Sequence, residues 1–424
     1  MLRTITSFFL ALFVLLIANT PSANMLDTLR ANSSLAGYAQ ATYRQSVHKK
    51  HPLAATVRLA LEATINKDSW IRGFVSGYGD IDFSVPGRDS DEALITPELS
   101  EGYITLDSRY LDCIIGMQHI RWGEADSLST FDIINPIDYR NPISTARSSQ
   151  RLAVGAIDLR GNLNGVGLLD LVLIPFPRMS RLPEYGATWE DKDLHTMRRT
   201  VASTPWIHAT EEEGPYEPEV AARLKFFRPG YDFAFLFYRG YEHEPLYTAS
   251  FSPQTMSARL HETYEIYQAY GASIAISVLE ATLRGECTLK HDYPFQSDQI
   301  AIEKRNDFET IIGIDRNFLT NLNVNLQAFY FAHDGDEVSG KDRQRYGGTW
   351  SLSDKFLDDA LKAGVRGEVF MNNGDSCVEL FAEYEYDDNL RFFAGYMLFG
   401  GDEKNDLGQF DQNDHVYLGV KYSF

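Results

Sequence analysis

Two sets of charged residues in this chain have the types and spacing to line a water-filled path. The first is Arg121, Glu124, Asp126, Asp132, Asp138, Arg140, Arg147, Arg151 and Arg160. Acids and arginines facing one another across a narrow aqueous space orient polar solutes and discriminate ions by sign. The plainer reading is local pairing that pins a loop, and exposed pairs are individually weak. The second set is Lys362, Arg366 and Glu368 against Glu379, Glu383, Glu385 and Arg391. On adjacent strands, opposite charges directly across from each other stabilise pairing by about 0.2–1 kcal/mol. They would also wet the wall they share.

Other chemistry is thinner. The stretch 177–217 carries Arg178, Arg181, Arg198 and Arg199, then Glu211, Glu212 and Glu213, with Tyr185, Trp189 and Trp206 among them. Aromatic residues beside charges can form a platform for a sugar or an iron chelate; a solvated surface loop is the alternative. The tips at 333–337 and 402–406 offer oxygen ligands for calcium without the EF-hand spacing. No His-Glu-x-x-His, Gly-x-Ser-x-Gly or phosphate loop is present. His261 beside Glu262, and His243 between Glu242 and Glu244, are acid–base pairs with no nucleophile fixed beside them. The expectation is therefore a protein without a catalytic site, metal or cofactor. Cys113, Cys287 and Cys377 are an odd, widely spaced set, and Cys113 and Cys287 read as small hydrophobes.

The elements that must position these charges are strands. Val57, Leu59, Leu61, Ala63 and Ile65 face one way, and Thr56, Arg58, Glu62 and Thr64 the other. The same period of two runs through 282–290, 322–330, 361–369, 378–386 and 416–424. Alternation gives each strand one apolar and one polar face. A soluble sandwich would bury the apolar faces; a closed membrane barrel would turn them to lipid. The connections help decide. Asn66-Lys67-Asp68, Asn372-Asn373-Gly374 and Asp387-Asp388 read as tight turns, and 124–149, 177–217, 241–258, 291–305, 333–352 and 400–411 as longer polar loops. The fold class expected is all-β: a closed antiparallel transmembrane barrel of about 16 strands (range 14–18), short periplasmic turns and long extracellular loops. Segments 36–48 and 345–353 are its weakest strands.

The ends agree. Arg3 precedes the apolar run Phe8–Ile17, and small residues follow near Thr20, Ser22 and Ala23. This describes a secretory signal peptide over 1–23, followed by a short lead-in over 24–34 and a barrel domain over 35–424. At the other end Tyr422 and Phe424 close an alternating segment. That pattern resembles the signal by which bacterial outer-membrane barrels enter their assembly machinery. Composition is compatible. Mean hydropathy is −0.27, and 13% of residues are aromatic, including 23 Tyr and 26 Phe. Aromatic girdles at two membrane interfaces use such residues. A net charge of −20 argues against nucleic-acid binding.

The segment Arg121-Trp122-Gly123-Glu124-Ala125-Asp126, followed by Asp132-Ile133-Ile134-Asn135-Pro136 and Asn141-Pro142, is similar to a loop in a poorly characterised group of porin-like outer-membrane proteins. The resemblance implies a Gram-negative outer-membrane barrel whose loop 122–149 packs at or inside the lumen. The function expected is a porin-like channel for passive or facilitated diffusion of a small solute. The alternatives are a structural or adhesion barrel with a filled lumen, a TonB-independent uptake protein, and an outer-membrane hydrolase. Expected partners are outer-membrane lipid and lipopolysaccharide, the barrel assembly machinery and the solute.

Overall fold

The computed structural model describes residues 32–424 except 50–51, 67–68, 84–93, 125–126, 141–149, 212–213, 215–216, 298, 319–320, 337 and 339–341. The expected signal peptide, most of the lead-in, Asp126 and Arg147 lie outside the described residues.

Chain order is β1 (Ser34–Ser46), β2 (Pro52–Ile65), β3 (Ile71–Asp82), β4 (Leu94–Leu106), β5 (Leu111–Gln118), β6 (Val154–Asn162), β7 (Gly167–Ile174), helix α1 (Lys192–Ser203), β8 (Ile207–Glu211), β9 (Glu219–Arg228) and β10 (Tyr231–Tyr241). Then come β11 (Leu246–Ser252), β12 (Ser257–Thr263), β13 (Ile266–Val278), β14 (Ala281–Gln296), β15 (Ile302–Phe318), β16 (Leu322–His333) and β17 (Gln344–Phe356). Last are β18 (Leu361–Phe370), β19 (Ser376–Glu385), β20 (Leu390–Gly400) and β21 (His415–Ser423). Eighteen of these form one sheet, each hydrogen-bonded to its neighbour in sequence. The ring closes where β1 meets β21, from Tyr38 opposite Ser423 to Ser46 opposite His415. Closure leaves no unpaired edge. Strands β8, β11 and β12 make a separate small sheet, with β12 antiparallel to β11 and parallel to β8.

The expected sixteen strands are corrected to eighteen, the upper end of the range. Counting by alternation fails in β3, whose outward phase contains Gly73, Gly77 and Gly79. It fails again in β10, where both phases are apolar. The expected loops at 291–305 and 333–352 are also largely strand, because β14, β15 and β17 extend through them. Both weakest strands, at 36–48 and 345–353, are present as β1 and β17.

Outward residues match the alternation. Val57, Leu59 and Leu61 on β2, Ile312 and Ile314 on β15, and Val416, Leu418 and Tyr422 on β21 all face away from the interior and are exposed. The connections are sorted by side. One rim is where β2, β4, β6, β9, β13, β15, β17 and β19 end. One of the two two-residue links puts Leu279 and Glu280 at φ 48° and 65°. A two-residue hairpin link needs that left-handed backbone to match strand twist. The other rim carries 119–153, 175–218 and 242–265. The turn at 372–374 is tight, as expected, but sits on this long-loop rim.

Candidate constriction and lumen site

The loop between β5 and β6 is anchored at its base by Asn135, which is 1% exposed. Its Oδ1 accepts from the Ile120 N–H at 2.8 Å, and its Nδ2 donates to the Leu152 carbonyl at 2.8 Å. One side chain thus ties both stems of the loop together. Asp132 and Arg151 add a second tie: Arg151 Nε donates to Asp132 at 3.2 Å and its Nη1 to the Asn135 carbonyl at 2.9 Å.

From that base the loop reaches other walls. The Glu124 carboxylate pairs with Lys225 on β9, and the Glu124 N–H donates to Glu286 on β14 at 2.6 Å. Ser129 Oγ and the Thr130 N–H donate to the other Glu286 oxygen at 2.7 and 2.9 Å. The Leu128 N–H donates to Gln327 on β16 at 3.1 Å. Along the ring from β5, β16 is the eighth strand (β6, β7, β9, β10, β13, β14, β15, β16) of an eighteen-strand circle. The contacts therefore run to the wall nearly opposite the loop's origin. Phe131 lies so close to β13 that a Cβ on Gly271 would come within 2.6 Å of its ring. Only glycine permits that approach.

Beneath the loop the interior is apolar. Ile120, Trp122, Phe131 and Ile134 pack with Val154, Ala156, Val172, Ile174, Ala221, Ala234, Leu236 and Ala269 from the inner faces of β6, β7, β9, β10 and β13. The expectation that the phase opposite the lipid face is polar is corrected here. Charges in this region are few and paired: Arg223 with Asp170 at 2.6 Å, under the Trp122 ring, and Arg160 with the fully buried Asp158 at 2.7 Å.

The remaining residues of the first set occupy the loop's outer part. Arg140 grips Asp138 through Nε at 2.9 Å and Nη2 at 2.7 Å, and Arg181 adds a third contact at 3.3 Å. Burial raises the Asp138 carboxyl, but the Arg140 hydrogen bonds and charge, with Arg181, outweigh it and leave the group below the usual carboxylate range. Arg178 and Arg181 both reach Glu98 on β4, at 2.7 and 2.9 Å. Arg121 is exposed at the start of the loop.

The second set lies on one face of β18, β19 and, through Arg391, β20. Register places Arg366 opposite Glu379 and Lys362 opposite Glu383. Arg366 Nε donates to Glu379 at 2.5 Å, and the Tyr417 hydroxyl donates to its other oxygen at 2.5 Å. Arg391 pairs with Glu383 at 3.5 Å and Glu385 at 2.5 Å. Glu368 sits opposite Cys377. Arg58 and Asp80 form a similar bidentate pair across β2 and β3, both contacts at 2.7 Å. Tyr422 and Phe424 are about half exposed on the outer face, and Phe424 exchanges backbone hydrogen bonds with Gly37 at 2.9 and 3.0 Å.

Over the long-loop rim, 175–218 crosses to β20 and β21. Trp189 is buried against Leu53, Met397, Phe399 and Phe410, so it serves as packing and not as an exposed ligand platform. The Asn413 amide donates to the Thr188 carbonyl at 2.9 Å. Tyr185 stacks on His195 at 5.0 Å, and Trp206 remains half exposed. His243 is turned away from its flanking acids towards buried Glu219 at 3.1 Å, where the Tyr238 hydroxyl donates at 3.0 Å. His261 meets only the hydroxyls of Ser250 and Thr210, at 3.0 and 3.4 Å, among the described hydrogen bonds. The sequence motif contained Asn135 but not its anchoring role, and Glu286 and Gly271 were not singled out. Their partners are backbone atoms or lie far away in sequence.

The chain belongs to the family described as "Protein of unknown function (DUF1302)", whose family model matches residues 98–338. No curated protein matches the chain. Among solved structures it is similar to Pseudomonas aeruginosa OpdK with vanillate, at 9% identity and TM-score 0.55, covering 93% of this chain and 99% of that one. Pseudomonas aeruginosa OccK11 (OpdR) matches at 9% identity and TM-score 0.53, over 92% and 95%. Acinetobacter baumannii OccAB4 matches at 9% and 0.53, over 92% and 97%. At such identity the likeness shows the fold alone: a closed antiparallel barrel.

Proposed function

We propose that this chain is a bacterial outer-membrane channel for diffusion of a small solute, narrowed by the loop 119–153. The carrying observation is the set of hydrogen bonds from that loop to Glu286 and Gln327 across the interior, in a barrel whose outer face is apolar. Lipid and lipopolysaccharide would contact that outer face, and Tyr422 and Phe424 would be read by the assembly machinery. The Asp138–Arg140–Arg181 group and the Arg366–Glu379 wall provide paired charges that set ion preference in a confined path. The test is planar-bilayer recording. Stepwise openings are expected, and Arg140→Ala should shift the reversal potential towards cations. Absence of any open level would leave the rival reading, a filled structural barrel, which the apolar packing under the loop favours.

A further inference from the structure

Between the loop and the inner faces of β13–β16 lies a cavity of about 230 Å³ at the long-loop end of the barrel. Aromatic rings form part of its wall: Tyr267 and Tyr293 meet edge to face with centroids 5.0 Å apart, and Tyr139 and Phe331 stand beside them among charged and aliphatic residues. Aromatic faces carry negative quadrupole density and attract cations that approach them. Lys290 Nζ already stands 4.7 Å from the centre of the Tyr293 ring.

The charges in the wall decide which solute sign fits. Lys290 is engaged by Glu309 at 2.7 Å, and Arg151 by Asp132 at 3.2 Å. Glu242 also lines the cavity. It accepts from the Glu244 N–H at 3.2 Å. Among the described residues no lysine or arginine pairs with it within 4.0 Å. An anion entering here would have to break one of the two existing pairs and face Glu242. A cation disturbs neither pair and shares Glu242 with Lys290, which also feels that charge.

We infer that this cavity binds an organic cation with an aromatic or apolar body, its charge at Glu242 and its body against Tyr267, Tyr293 and Phe331. The inference rests on the channel reading for its place in transport, but binding and conduction separate experimentally. The full chain, folded in detergent, is titrated calorimetrically with benzyltrimethylammonium and with benzoate. The ammonium should bind and benzoate should not. Glu242→Gln should weaken the ammonium about tenfold, and Glu242→Asp should recover most of that loss. Phe331→Leu, which leaves the charges in place, should weaken it about threefold. Preferential binding of benzoate, or unchanged affinity in both Glu242→Gln and Phe331→Leu, overturns the inference. A barrel that binds the ammonium but never conducts keeps the site and defeats the channel; one that conducts but neither binds nor is blocked by it does the reverse.

Discussion

The two halves of the barrel interior are built on different principles. From β6 to β13 the inner face is small and apolar, and the loop fills it with Ile120, Trp122, Phe131 and Ile134. From β17 through β21 and on to β3 the inner face is more polar, apart from the Met397–Phe399 cluster on β20, and holds cross-strand pairs such as Arg366–Glu379 and Arg58–Asp80. The same external lipid face is thus combined with two internal solutions. In one half the strands act as the walls of a small soluble-type core; in the other they carry paired charges. A barrel's inner phase thus follows what packs there, while its outer phase stays apolar all the way round.

The comparison can be broken where the halves meet. Glu286 receives three loop donors, and Glu286→Ala leaves them without their acceptor, at about 1–3 kcal/mol for each buried one. The loop should detach and single-channel conductance should rise severalfold; unchanged conductance would show that the loop does not divide the interior. Within the apolar half, Leu236→Ala removes a side chain that is 4% exposed and should cost about 3 kcal/mol by cavity formation. Denaturant titration in detergent would read this. Gly271→Val drives a methyl group into Phe131 and should cost about 2 kcal/mol by overpacking, with protease sensitivity appearing first within 119–153. In the polar half, Arg366→Ala should cost about 1 kcal/mol or less, since the arginine is partly exposed and Glu379 keeps its Tyr417 hydrogen bond. Equal losses for Leu236→Ala and Arg366→Ala would erase the distinction.

Acid gives the smallest effect. The Asp138 carboxyl sits below its usual range in the folded chain. Its stabilising contribution is complete above the ordinary aspartate value of about 3.9 and is lost as pH falls through the lower folded value. Ion preference set by the Asp138–Arg140 group should hold steady down to about pH 4 and change only below it. A transition centred above that pH would contradict the pairing.

How far the sequence could be read follows the same division. The C-terminal strands were legible because lipid and water act on alternate residues: the pairs Lys362–Glu383 and Arg366–Glu379 follow from phase and register alone. β10 was not, because Phe233, Phe235 and Phe237 face outward while Ala234, Leu236 and Tyr238 face a core. Two apolar phases carry no alternation to count. The charged loop was recognisable as unusual, yet the reason for Asn135 was hidden, since all its partners are main-chain atoms. Trp189 was visible as an aromatic among charges, and only the fold reveals that its neighbours come from β2 and β20, far away along the chain.

The seating of Trp189 across the rim has a mechanical consequence. A cylinder of strands resists stretching along its hydrogen bonds but flattens easily under sideways load. A spoke from β7 to β20 and β21, fastened by Trp189 and by Asn413 on Thr188, opposes that ovalisation. The aperture should then keep its outline when the surrounding bilayer changes in tension or composition.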